Sequence, residues 1–107
     1  KKNYSKKEFN ESVDITNSLI KKIKNLIGDE ALYFIVNCYD KDNLINNVLN
    51  DISKNNDLYN LISPLLELKN ADEKGEDIFV FDGGHLNDLG NKIYGTAIGN
   101  EILEIMQ

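Results

Sequence analysis

Apolar residues recur at helical spacing early in the chain. Between Ser12 and Ile27 they fall three or four positions apart, with lysines on the opposite side. Asn10 or Ser12 is a candidate N-cap, and Gly28 is typical of a helix end. The polar residues 1–11 before it are expected to form a loop or a frayed helix start. The pattern predicts an amphipathic helix with one face packed on a core.

Two more segments carry the helical pattern. One covers residues 44–52 and gives way to the polar run 53–57. The other covers 58–68, but Pro64 lies inside it and cannot continue a helix in the ordinary way. This third helix is therefore expected to break at the proline, or to begin near Ser63 with the proline in its first turn.

Two continuous apolar runs are typical of buried strands. They cover residues 31–39 and 78–81 and are rich in β-branched and aromatic side chains. Such runs, without polar alternation, are expected of parallel strands covered on both faces. Helices between strands predict an α/β fold. Two strands alone have few ways to cover both faces, so we expect these strands to belong to a larger sheet.

The second apolar run leads into the chemistry of the chain. Asp82 stands where the strand should end, Gly83 and Gly84 permit a tight turn, and His85 follows as the one histidine in the sequence. A carboxylate and an imidazole this close can share a hydrogen bond from Nδ1–H, which leaves Nε2 free as a base. The pair supplies two of the three groups of a hydrolase triad, and only a nucleophile is missing.

A last helix follows this pair. Asn87 or Asp88 is the expected N-cap, and an apolar stripe runs on toward the end of the chain. Glycine within a helix costs about 1 kcal/mol relative to alanine. We therefore expect the glycines of this helix to allow close packing against a sheet; they are Gly90, Gly95 and Gly99.

Composition and charge narrow the possible partners. The 107 residues are enough for one domain with a modest core, and the net charge is −6. No basic cluster offsets that charge, so the sequence predicts no nucleic-acid partner. No apolar run reaches the length of a membrane span. The single Cys38 is expected to be a small buried apolar residue, and the compartment is not readable from it.

The residues from Asp82 to Asn91 resemble the last conserved block of the SGNH (GDSL-type) hydrolases. That block has the pattern Asp-x-x-His, a short polar stretch, and then glycine at the start of an apolar helix. The resemblance implies that Asp82 is the triad aspartate, His85 the triad histidine and Gly90 the glycine of the first helical turn. It also implies an α/β chain forming the C-terminal half of a three-layer α/β/α, flavodoxin-like fold, with no cofactor.

Two other blocks of that family are absent. The Gly-Asp-Ser-type block that carries the nucleophile is missing, and so is the Gly-x-Asn-Asp block that carries an oxyanion donor. Asn37 is the nearest counterpart of the oxyanion asparagine, but no glycine precedes it. We therefore expect residues 1–107 to be the C-terminal part of a longer protein, completed by its N-terminal part or by a partner chain. The serines are not expected to lie at a strand-to-helix turn; they are Ser5, Ser12, Ser18, Ser53 and Ser63.

The resemblance implies acyl transfer from a carbohydrate or lipid ester, by hydrolysis or by O-acetyl transfer. The alternative is a small α/β interaction or structural domain in which Asp82 and His85 only form a turn. A metal site from Asp82, His85 and Asp88 is disfavoured, because one histidine without cysteine partners is a poor ligand set.

Overall fold

The computed structural model describes residues 5–39, 43–81 and 83–107 and has mixed α/β character, as predicted. The two strands of its sheet are parallel, with Phe34 opposite Tyr59 and Val36 opposite Leu61. The elements in chain order are helix α1 (Lys6–Ile27), strand β1 (Phe34–Val36), helix α2 (Leu44–Asn56), strand β2 (Tyr59–Leu61), helix α3 (Ser63–Glu73) and helix α4 (Asp88–Met106).

Helix α1 begins earlier than the apolar pattern indicates. Its N-cap is Ser5, whose hydroxyl accepts a hydrogen bond from the Glu8 backbone N–H at 3.1 Å and donates one to the Glu8 carboxylate at 3.0 Å. This local cap extends the helix into the polar residues expected to be a loop. The predicted end at Gly28 is confirmed, and the φ of +98° at that glycine suits a residue without a Cβ.

The apolar face of α1 does not pack on a core, contrary to the prediction. No residue of the helix is buried, and Leu26 is 84% exposed. The helix instead meets α2 partly through Lys24, whose Nζ donates to the Asn56 carbonyl at 2.6 Å and lies 5.3 Å from the centroid of the Tyr33 ring. The ammonium group thus stabilises the negative end of the α2 dipole.

The segment 58–68 is not one helix. Tyr59–Leu61 form β2, and α3 starts at Ser63 with Pro64 buried in its first turn, which confirms the second of the two predicted arrangements. The polar residues after 52 continue α2 to Asn56, and α3 runs beyond the apolar pattern to Glu73.

The prediction of a buried parallel strand at 78–81 is wrong. Only Phe79 pairs, in an isolated antiparallel bridge with Leu86, and the side chain of Phe81 is fully exposed. Among residues 78–81, only Ile78 is fully buried, at 1% exposure. The chain reverses direction within a few residues of Phe79, so this segment has no length in which to join the sheet.

The apolar core lies between α3, α4 and the segment that links them. Leu68, Ala71 and Ile78 form its buried centre. A Cβ built on Gly90 would overlap the Ile78 carbonyl oxygen, so a close approach occurs at this glycine as expected, but to the segment before the helix and not to a sheet. The same expectation is wrong for Gly95 and Gly99, which have open space around them. Five partly buried residues pack against the core: Tyr39, Phe79, Leu86, Ile93 and Tyr94.

The chain is flat and open. Its radius of gyration is 15.7 Å and its extents are 42 × 42 × 17 Å. A compact chain of this length has a radius of gyration of about 13 Å. The radius of gyration is larger because the helices lie side by side and do not all pack around one common core. None of the described helices combines the length and the apolarity that a bilayer crossing requires.

Candidate active-site turn

His85 lies in a tight turn formed by residues 78–87, called here the 78–87 turn. Two backbone hydrogen bonds close it: the Asn87 N–H donates to the Ile78 carbonyl, and the Val80 N–H donates to the His85 carbonyl, both at 2.9 Å. Inside them the Gly83 N–H donates to the Val80 carbonyl at 2.8 Å, and the φ of +70° at Gly83 suits glycine. The predicted glycine turn is therefore present, and its ends are fixed by the backbone.

The two predicted triad residues have different outcomes. His85 is exposed to solvent and lies two residues before Asn87, the N-cap of α4. Asp82 lies outside the described residues, and its pairing with His85 stays a prediction.

Asn87 links the 78–87 turn to α4. Its Oδ1 accepts a hydrogen bond from the Gly90 N–H at 2.9 Å, which confirms Asn87 as the N-cap. Its Nδ2 donates to the Asp77 carbonyl at 2.8 Å and to the Phe79 carbonyl at 3.4 Å. The sequence indicated the cap but not these donated bonds, because they depend on a preceding segment that only the fold places beside the start of the helix.

A pocket of about 290 Å³ lies beside the glycines of the turn. Cys38 and Tyr39, which follow the carboxyl end of β1, form part of its wall together with Gly83 and Gly84. Ligands of open α/β sheets bind outside the carboxyl ends of the strands, and this pocket lies at that position relative to β1. The rest of the lining is mainly apolar: Leu68, Phe79, Leu86 and Tyr94.

Two tyrosines of this pocket have raised pKa values for different reasons. The Tyr39 hydroxyl donates to the Asp72 carboxylate at 2.7 Å, and this hydrogen bond is the main cause that raises the Tyr39 pKa, with burial and the Asp72 charge adding to it. Burial is the main cause for Tyr94, with a smaller effect from Cys38. The Tyr94 hydroxyl donates to the Asn37 carbonyl at 2.9 Å. Both phenols therefore act as hydrogen-bond donors at neutral pH.

Asn37, the nearest counterpart of an oxyanion asparagine, directs its amide elsewhere. The side chain is buried, and its Nδ2 lies 3.4 Å from the Asn50 Oδ1 in α2. Its own Oδ1 has no hydrogen-bond partner among the described residues. The donor group therefore faces α2, and Asn37 is not among the residues that line the pocket beside Gly83 and Gly84.

One serine does lie at a strand-to-helix junction, contrary to the expectation from sequence. Ser63 opens α3 directly after β2, separated from the strand by Ile62 alone. Its backbone N–H donates to the Glu101 carboxylate at 2.9 Å, and both residues line a groove between α3 and α4. That groove and the pocket beside the glycines share no lining residue. Ser63 therefore lies beside Glu101 and is not among the residues that line the pocket beside Gly83 and Gly84.

The described residues contain no cluster of three or more histidine, cysteine, aspartate or glutamate side chains that would hold a metal ion. The disfavoured metal set of Asp82, His85 and Asp88 includes one residue outside the described ranges.

Comparison of the chain with protein-family models, with curated proteins and with solved structures finds no match. The case for a family therefore rests on the residues from Asp82 to Asn91 and on the geometry around them.

Proposed function

We propose that this chain is the C-terminal part of an SGNH-type serine esterase or acyl hydrolase, with Asp82 and His85 as two of its triad residues. The observation that carries the proposal is an exposed histidine in a backbone-closed glycine turn at the start of a helix. Gly90, the third residue of the resemblance, has a packing reason to be glycine, because the Ile78 carbonyl occupies the space of a Cβ.

In the proposed reaction, a serine outside this chain attacks the carbonyl carbon of an ester. His85 takes the serine proton at Nε2 as the new C–O bond forms, and then gives it to the leaving alcohol as the old C–O bond breaks. Asp82 holds Nδ1–H and stabilises the imidazolium. Oxyanion donors, also outside this chain, would contribute about 3 kcal/mol. Water or a sugar hydroxyl then accepts the acyl group.

The open edge of β1 supports the proposal that part of the sheet lies outside this chain. In a parallel ladder alternate residues face each neighbour, and here Tyr33 and Asn37 bond to β2. Phe34 and Val36 direct their N–H and C=O groups to the other side, where no described residue bonds them. Backbone N–H and C=O groups without partners, on a strand whose side chains are half-buried, can pair with a further strand. In the proposal, the N-terminal part of the protein or a partner chain supplies it.

The proposed substrate is a carbohydrate or lipid ester whose acyl group enters the pocket at the carboxyl end of β1. The apolar part of its lining suits a hydrocarbon chain, and the nearby Tyr39 and Phe79 rings meet edge to face at 5.0 Å.

The test is intact mass spectrometry of the natural full-length protein with a fluorophosphonate probe for activated serines. We expect a covalent adduct on a serine that precedes residue 1 of this chain, and loss of the adduct in His85→Ala. Lys92→Ala, at an exposed site near the start of α4, is the matched control and should keep the adduct. No adduct on the wild-type protein would contradict the proposal.

The alternative is an interaction domain in which the 78–87 turn presents an apolar residue to a partner. The full exposure of Phe81 at the tip of the turn is the observation that favours it. A stable complex that Phe81→Ser abolishes, together with an unlabelled wild-type protein, would support this function instead.

A further inference from the structure

We infer that Asn87 is a positioning residue for His85, a role that rests on the proposed function. One side chain joins the segment that enters the turn to the helix that leaves it. Its amide nitrogen bonds Asp77 and Phe79 before the turn, and its amide oxygen bonds Gly90 after it.

The placement of these bonds explains why they act on His85. Asn87 follows His85 by two residues, and the His85 carbonyl is itself held by the Val80 N–H. The backbone on both sides of the histidine is therefore tied to the segment that leaves the buried Ile78. The bonds of Asn87 come from its side chain, so a substitution can remove them without removing the backbone bonds of the turn.

A simple N-cap would need only half of this arrangement. Aspartate and serine both cap helices well through an oxygen, as Asn87 does with Gly90. Aspartate has no donor and adds a negative charge beside the carbonyl oxygens of Asp77 and Phe79, and the single O–H of serine, on a shorter side chain, cannot replace both amide bonds. Asn87→Asp and Asn87→Ser therefore keep the cap and remove the link.

The histidine itself provides the readout. It is the one histidine in the chain, so its imidazole ¹H and ¹⁵N resonances report its tautomer and side-chain rotamer without ambiguity. The spectra are recorded under conditions in which circular dichroism shows that each variant is folded. Asn47→Asp, at an exposed site in the first turn of α2, is the matched control for the added charge.

In Asn87→Asp and Asn87→Ser we expect the imidazole shifts and the χ1 couplings of His85 to move toward those of the urea-unfolded chain, whereas Asn47→Asp keeps the wild-type values. In the full-length protein, the same two Asn87 variants should label with the fluorophosphonate probe about tenfold more slowly or worse, since a small displacement of a catalytic group is costly.

The outcomes separate the two proposals. Folded Asn87 variants with an unchanged His85 spectrum would show that Asn87 is only a cap, and would overturn the inference even if the wild-type protein labels. A wild-type protein that does not label would overturn the proposed function, whatever the His85 spectrum shows.

Discussion

The two halves of this molecule are held together by different interactions. From β2 to α4 the buried positions are apolar: Leu61, Leu65, Leu68, Ala71, Ile78 and Ala97. From α1 to α2 the only buried apolar residue among those described is Ile52. The other buried positions in that half are polar: Asn37, Asn46, Ser53 and Asn56.

The difference bears on stability and on function. Burying a leucine-sized side chain contributes about 1.5–3 kcal/mol, whereas a typical hydrogen bond contributes a net 0.5–1.5 kcal/mol, as central estimates. The C-terminal half therefore has the larger share of the stabilising free energy, and it is the half that carries His85. The N-terminal half has the open strand edge and the exposed apolar face of α1. The proposed site is built on the half with the larger apolar core, and the other half faces the proposed missing part.

Asn46 shows how the N-terminal half uses amides in place of apolar contacts. Its Oδ1 accepts from the Cys38 N–H at 2.9 Å, and its Nδ2 donates to the Cys38 carbonyl at 2.7 Å. Cys38 faces the same edge as Phe34 and Val36, so this side chain takes the place of a neighbouring strand just beyond the end of β1. An added strand would therefore pair with β1 only up to Val36.

The largest effect is expected in the C-terminal half, at Gly90. Gly90→Ala places a methyl group against the Ile78 carbonyl and should reduce the free energy of unfolding by about 3 kcal/mol or more. Urea denaturation followed by circular dichroism measures it. Gly95→Ala is the control: with open space around it, a helical alanine should stabilise the protein by about 0.5–1 kcal/mol. Equal effects at the two glycines would contradict close packing at Gly90.

A smaller loss is expected in the N-terminal half. Asn46→Ala leaves the partly buried N–H and C=O of Cys38 without their side-chain partner, and should cost about 2 kcal/mol in the same denaturation experiment. Asn47→Ala, at the exposed neighbouring position of α2, should change the stability by less than about 0.5 kcal/mol. A cost for Asn46→Ala as small as that of its neighbour would mean that the amide bonds do not hold this half together.

The same contrast explains what the sequence predicted well. The end of α1 at Gly28, the proline in the first turn of α3 and the cap at Asn87 all depend on residues within one helical turn of each other. Local chemistry of this kind is visible in a sequence. The glycine turn that holds His85 was predicted in the same way, from residues in one short stretch.

The features that the sequence did not predict depend on distant segments. Strand β2 has three residues, and leucines at helical spacing on either side of it favoured a helix. The position of Ser63 after a strand was missed for that reason. Residues 78–81 have a strand-like composition. Their structure is decided instead by the few residues available before the chain reverses direction. The donated bonds of Asn87 go to carbonyls of a segment that only the fold places beside it.

Hydrogen exchange sharpens the comparison within β1 itself. The Asn37 amide donates to the Leu61 carbonyl at 3.1 Å, whereas the Phe34 and Val36 amides face the open edge. In the isolated chain these two amides should exchange about tenfold or more faster than that of Asn37, as measured by NMR. Equal protection at all three positions would mean that the outer edge is covered. In the full-length protein, the proposal expects Phe34 and Val36 to become protected.

The smallest effect concerns one of the hydrogen bonds between the two halves, from Tyr39 after β1 to Asp72 in α3. Since the raised pKa of Tyr39 favours the neutral phenol in the folded state, its contribution is present below the ordinary tyrosine pKa of about 10 and is lost as pH rises through the folded-state pKa. Asp72→Asn should lower the Tyr39 pKa, measured by NMR titration of the ring, and weaken the alkaline loss of stability. The Tyr94 pKa, raised mainly by burial, is the internal control and should not move. A Tyr39 pKa that stays raised in Asp72→Asn would show that burial, and not this bond between the halves, sets it.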